Sequence, residues 1–408
     1  VSQLSAPPVQ AVPFLDFSRQ FASIRDEVMA AIAEVCESQR FIFGPQVASF
    51  EQAAALACAA PHAIGCASGT DALWLAFAAG GIGDSADANR SAHQHAVITT
   101  PFSFFASASS ILRAGARPVF ADIDPLTFNL SPAAVEEILS QNGNDEKEIV
   151  RAILPVHLFG HCADWDGFTR LQQNHNGLLL IEDAAQAFGA TWNGIPAGGL
   201  GDAAAFSFYP TKNLSAFGDA GLLTTRSSQI DQRARSLRAH GMTRRYFHDE
   251  VGWNSRLDTL QAAVLEVKLC HLPAWNQQRR TLAARYNELF LAAGIATLTS
   301  PESPKTIADG VVLPYTAPSA QHVFHQYVIR APRRDELRAH LTAQNIGSEI
   351  YYPLCLHQQH ALNSLGYRTG DFPESERAAA EVLALPIYPE LRDDEQQTIV
   401  EAIRQFYS

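Results

Sequence analysis

The chain predicts an α/β fold: a large domain with a mostly parallel sheet of the seven-stranded type between helices, followed by a smaller C-terminal α+β domain. Three observations predict it. From about residue 63 to 225, short apolar runs alternate with helical patterns, the signature of strands joined by crossover helices. Several runs, above all Leu178-Leu179-Leu180-Ile181, are aliphatic at every position, as in strands buried on both faces. Past residue 270 helices outnumber strands, and 408 residues suffice for two cores.

Taken in order, residues 1–12, rich in Pro, Ser and Ala, read as a loose leader. Ile24, Val28, Ile32 and Val35 recur at helical spacing and predict a helix over 24–38, with a second over 47–57. A brief strand at 63–67 runs into Ser68-Gly69-Thr70-Asp71, which caps the next helix. The free N–H groups of such a helix start can hold an anion, although an isolated run of this kind is more commonly a plain cap. Residues 84–95 form a polar insertion with His93 and His95. A strand at 97–101 leads through Phe102-Ser103-Phe104-Phe105 into a helix ending at 114, and strands follow at 119–123 and 152–157. His157 and His161 are four apart, but Phe159-Gly160 between them predicts a loop, which argues against a helix-borne zinc pair; no metal site is expected. Helices over 257–269 and 275–292 leave a boundary near 270. The domains are then 13–270 and 271–408, the second with strands at 311–313 and 326–329 and helices over 334–344, 374–384 and 394–406.

Composition narrows the function classes. A formal charge of −12 with no Lys/Arg stripe argues against nucleic-acid binding. No apolar run approaches the roughly 20 residues that cross a bilayer. No basic n-region with an apolar core opens the chain, and the six cysteines are scattered without a C-x-x-C pair. A cytoplasmic protein with free thiols is the expectation.

The chemistry is carried by two stretches. Ala205 to Leu214 delivers Ser207 and Lys212 just after a strand, and Asp183 closes the aliphatic run before Ala184-Ala185-Gln186. Open α/β sheets bind ligands at the carboxyl ends of their strands. A lysine and an aspartate arriving there are the pair that pyridoxal phosphate requires: an amine for the Schiff base and a carboxylate to keep the ring nitrogen protonated.

Ser68-Gly69-Thr70-Asp71-Ala72-Leu73, Glu182-Asp183-Ala184-Ala185-Gln186-Ala187, Phe206 to Asn213 and Gly252-Trp253-Asn254-Ser255-Arg256-Leu257-Asp258 resemble the DegT/StrS family. These are sugar-nucleotide aminotransferases of the aspartate-aminotransferase fold. His325-Gln326-Tyr327, Tyr352-Pro353, Leu356-His357-Gln358 and Leu385 to Pro389 extend the likeness to the C-terminus. The resemblance implies a homodimer with shared active sites, pyridoxal 5′-phosphate (with its pyridoxamine form during turnover), L-glutamate as donor, and a 3- or 4-keto sugar of a nucleoside diphosphate as acceptor. It implies that Lys212 holds the cofactor and shuttles the proton, and that Asp183 pairs with the ring nitrogen. Gln186 would lie beside the phenolic oxygen, and Phe104, or Phe105 by a one-residue slip, would stack on the ring. Gly69, Thr70, Asp71 and Ser207 would hold the phosphate, and Asn254 would reach the phosphate of the partner subunit. His325 and Tyr352 would face substrate. The family also contains dehydratases in which the lysine is replaced, so an elimination on a sugar nucleotide is the alternative, and a non-catalytic regulatory protein of the same fold is a third reading. Intact Lys212 favours transamination. The insertions at 84–95 and around 300–310 have no counterpart in the family pattern.

Overall fold

The computed structural model describes residues 11–83, 94–141, 148–298, 300 and 310–408. Residues 1–10 of the expected leader and most of both insertions lie outside them.

Seven strands form the main sheet: β1 (His62–Cys66), β2 (Gln94–Thr99), β3 (Arg117–Phe120), β4 (Glu148–Ile153), β5 (Leu179–Asp183), β6 (Ala203–Ser207) and β7 (Gly221–Thr225). Their spatial order is β1-β7-β6-β5-β4-β2-β3. β7 runs antiparallel to both neighbours, and every other pairing is parallel. β1 to β6 therefore point the same way, and their carboxyl ends open on one edge.

α1 (Phe17–Ser38) and α2 (Pro45–Ala57) precede the sheet. α3 (Gly69–Ala79), α4 (Ala106–Arg113), α5 (Pro132–Gln141), α6 (Trp165–Asn174) and α7 (Ser228–Leu237) then alternate with its strands or follow them. Helices cover both faces. Leu180 packs with Phe50, Phe168 and Phe206 on one side, whereas Ile181 packs with Leu75, Val97 and Leu223 on the other. Neighbouring residues of one strand bury in opposite directions, which is why the run shows no polar alternation. Rings such as Phe206, fully buried, typically cost about 3–5 kcal/mol to truncate.

The break expected near 270 is absent. α8 (Thr259–Ala292) is one helix of 34 residues with Pro273 inside it. A proline inside a helix removes one backbone bond and bends it. Packing overrides it: Leu265 and Leu272 belong to the core of the main sheet, and Leu282, Tyr286 and Phe290 to the C-terminal core. The line drawn at 270 falls inside a helix that both cores share.

In the C-terminal part β8 (Ala296–Thr297), β9 (Val311–Val312), β10 (Tyr327–Arg330) and β11 (Val382–Leu385) form a sheet in that order. α9 (Arg334–Ala343), α10 (Pro373–Glu381) and α11 (Asp393–Tyr407) complete it. The helix expected over 374–384 stops at Glu381, because the apolar run after it pairs antiparallel with β10. Two further expectations change. Val12, assigned to the leader, is 1% exposed and pairs with Ile346, and His95, assigned to the insertion, lies in β2 and accepts from the Gly83 amide at 3.0 Å. Among the described residues no helix is long and apolar enough to cross a membrane.

Candidate active site

Asp183 ends β5 and Ser207 ends β6, its immediate neighbour in the sheet. Beyond β6 the chain turns: the Lys212 amide donates to Tyr209 O and the Ala216 amide to Phe208 O, both at 2.8 Å. The Lys212 side chain keeps some solvent contact, but its amine is enclosed. Burial pushes that amine down to about 8, against the pull of the Asp183 carboxylate, which favours the charged form. Asp183 is 4% exposed, and burial pushes its carboxyl up from the ordinary range. A hydrogen bond from Ser107, the Ala185 amide, Lys212 and His157 draw it back down. Each group is among the causes of the other's shift, so the two charges lie near one another at this edge of the sheet.

A cup faces this edge from the start of α3. Ser68 caps the helix, its Oγ accepting from the Asp71 amide at 3.1 Å. The amides of Gly69 and Thr70 remain at the open end of the first turn, where an anion is stabilised. A β-carbon on Gly69 would sit 2.6 Å from Ser207 Cβ, and one on Gly221 would sit 2.2 Å from Ser68 O. Only glycines let the helix start come this close to the ends of β6 and β7. Asp71 does something other than donate to an anion. Its carboxylate pairs with Arg113 and accepts from Ser255 Oγ at 2.9 Å, while Arg113 lies over Trp74 and Trp253. It orders the rim of the cup, next to Gly69, Thr70 and Ser207.

On the other side, Gln186 accepts from the Phe159 amide at 2.6 Å and donates to the Tyr352 hydroxyl at 3.2 Å. Phe104, 59% exposed, has its ring 6.1 Å from that of Tyr352, while Phe105 stands at the start of α4. Asp183 and burial together raise the Tyr352 hydroxyl, burial being the larger cause. His325 is buried, with Nδ1 3.1 Å from Asn213 Oδ1. Burial, then Lys212, holds its ring well below the usual histidine range. Asn254 is exposed, next to the Ser255 that binds Asp71.

Sequence reasoning missed three supports. Ser107 donates to Asp183 Oδ2 at 2.7 Å, and Ser103 lies behind it at 2.8 Å. Glu182 accepts from the amides of Gly198, Leu200 and Gly201 and from His157 Nε2, whose Nδ1 accepts from the Ala163 amide. His157 thus anchors the strand end. His161 is engaged elsewhere, with Asn129 and the Ala317 amide. The i, i+4 spacing of Ser103 and Ser107 was the only hint of the first support.

These residues fit pyridoxal phosphate. An enclosed amine of lowered basicity suits its aldehyde, a buried carboxylate its ring nitrogen, and a helix start closed by two glycines its phosphate.

Comparison with known proteins agrees. Residues 22–404 match the model of the DegT/DnrJ/EryC1/StrS aminotransferase family. A "Pleiotropic regulatory protein" of Geobacillus stearothermophilus is 46% identical over 97% of this chain and 98% of its own. The dTDP-3-amino-3,4,6-trideoxy-alpha-D-glucose transaminase of Streptomyces venezuelae is 39% identical over 97% of this chain and 96% of its own. Among solved structures, S. venezuelae DesV in complex with a ketimine intermediate superposes with a TM-score of 0.86 at 38% identity, covering 98% of this chain and 99% of that one.

Proposed function

Because the chain belongs to the DegT/DnrJ/EryC1/StrS aminotransferase family, we propose that it is a pyridoxal-phosphate-dependent transaminase that moves the amino group of L-glutamate to a 3- or 4-keto sugar of a nucleoside diphosphate. The observation that carries this is an enclosed Lys212 amine and a buried Asp183 carboxylate close enough to influence one another, at the sheet edge where α3 starts. The bound cofactor would supply an electron sink and a carrier for the amino group.

This chain's residues supply the rest. Lys212 would hold the cofactor through its amine, and the same amine, when free, would move the proton at the substrate carbon, so no additional base is required. Asp183 keeps the ring nitrogen protonated. Gly69, Thr70 and Ser207 would hold the phosphate, Gln186 would lie beside the phenolic oxygen and Phe104 would stack on the ring. His325 and Tyr352 face the substrate side. Asn254, exposed on a single chain, serves the phosphate of a second subunit in a homodimer with shared sites. The six unpaired cysteines suit a cytoplasmic setting.

The regulatory name of one relative does not displace catalysis here, since Lys212 and Asp183 are both in place. The amino group named at C3 in the S. venezuelae relative makes 3-keto sugars the first to try. The test is a panel of nucleotide-linked keto sugars offered with ¹⁵N-glutamate, with mass and NMR of the products. Expected is an amino sugar carrying ¹⁵N, with 2-oxoglutarate released in equal amount. A deoxy-keto sugar without nitrogen would instead establish the elimination, and no turnover across the panel would contradict both enzymatic readings.

A further inference from the structure

Asp183 is served by a buried polar chain whose direction the structure settles. Ser107 Oγ donates to Asp183 Oδ2 at 2.7 Å, and Ser103 Oγ lies 2.8 Å from Ser107 Oγ. Ser103 is 4% exposed and Ser107 0%. A hydroxyl has one proton. That of Ser107 is committed to the carboxylate, so the proton between the two serines is Ser103's. Oδ1 of Asp183 accepts a longer bond, 3.3 Å, from the Ala185 amide.

We propose that Ser103 and Ser107 are positioning residues which hold Asp183 ionised and oriented toward the ring nitrogen of the cofactor. Both serines donate toward the carboxylate, an arrangement that suits its charged form. A proton on Oδ2 would have to displace the Ser107 bond, and one on Oδ1 the longer bond from the Ala185 amide. Burial works against the charge, and the Ser107 bond is the largest of the effects opposing it, ahead of Ala185, Lys212 and His157. Tyr352 is the other titratable group facing the carboxylate. The same turn fixes a second element: Ser103 precedes Phe104, and Ser107 lies in the first turn of α4. One local structure thus registers the stacking ring and the carboxylate together. The proposal rests on Asp183 being the partner of the ring nitrogen.

The test compares holoenzyme of Ser107→Ala, Ser107→Thr and Asp183→Asn with the wild type. The readouts are cofactor retention in equilibrium dialysis, the pH midpoint of the visible band of the bound cofactor, and melting of the cofactor-free protein. Loss of a hydrogen bond to a charged group predicts about tenfold weaker retention in Ser107→Ala. Its midpoint should move upward, because a ring with less positive charge leaves the adjoining nitrogen easier to protonate. Ser107→Thr, which keeps the hydroxyl, should restore both. If Asp183→Asn weakens retention while Ser107→Ala matches wild type, the relay is refuted and the Asp183 assignment stands. If Asp183→Asn also matches wild type, the assignment falls and the relay with it. A lowered melting temperature in Ser107→Ala with unchanged retention and midpoint would mean a purely structural serine and overturn the proposal. Should Ser107→Ala not fold, Ser103→Ala is read the same way: a smaller upward shift supports the relay and no shift refutes it.

Discussion

Replacing Lys212 with alanine is expected to slow amino-group transfer by about ten-thousandfold or more, since one side chain provides both the covalent attachment and the proton carrier. Retention of the cofactor on dialysis should fall with it, while the fold persists, because Lys212 lies in a turn outside the main core. The wild-type amine carries its own pH signature. Burial pushes it down to about 8. The neutral amine is the nucleophile, so capture of added pyridoxal phosphate by the cofactor-free protein should quicken as pH rises through about 8 and level off above it. Stopped-flow absorbance across that range reads the midpoint. A midpoint near the ordinary lysine value of 10.5 would show the amine solvated rather than enclosed. Full activity of Lys212→Ala would remove the mechanism.

Asp183→Ala should cost about two to three orders of magnitude in turnover, the scale of losing one preorganised electrostatic partner of a developing charge. The loss should appear in the half-reaction with glutamate alone, before any sugar is added, because stabilising the ring nitrogen belongs to the proton transfer itself. Single-turnover absorbance with glutamate separates this from acceptor binding. A variant impaired only with the keto sugar would place Asp183 in substrate recognition instead. Glu182, the adjacent residue, gives a contrast. It is fully buried and holds three backbone amides of the 198–201 turn, so its loss should act on folding before chemistry.

The main sheet was legible because its strands are buried on both faces, which leaves an unbroken aliphatic run such as Leu178 to Ile181. The arrival of Asp183 and of the Ser207–Lys212 stretch at one sheet edge followed from the same reading, and the structure adds that their strands are neighbours. Where the reading went astray, long-range packing overrode a local signal. The helical patterns over 257–269 and 275–292 read as two helices, but they are one, α8, whose two halves are held by separate cores. Val382 to Leu385 could extend a helix, but β10 offered an unpaired edge. The companions of Asp71 are Arg113 and Ser255, distant in sequence, so nothing local told that its carboxylate was already committed. Ser107 lies in a run of serines and alanines, and only the fold shows which hydroxyl meets Asp183.

The most direct measurement of the central claim is to load the protein with pyridoxal phosphate, fix it with borohydride and locate the added mass by peptide mapping. A second amine competes for the label: Lys268 is also buried and pushed down to about 8, with Ser215 Oγ at 3.0 Å. Burial alone sets its basicity, whereas Lys212 also has Asp183 to receive the ring nitrogen. The phosphopyridoxyl mass is expected on the peptide containing Lys212. The same mass on Lys268, or on no lysine, would contradict the assignment.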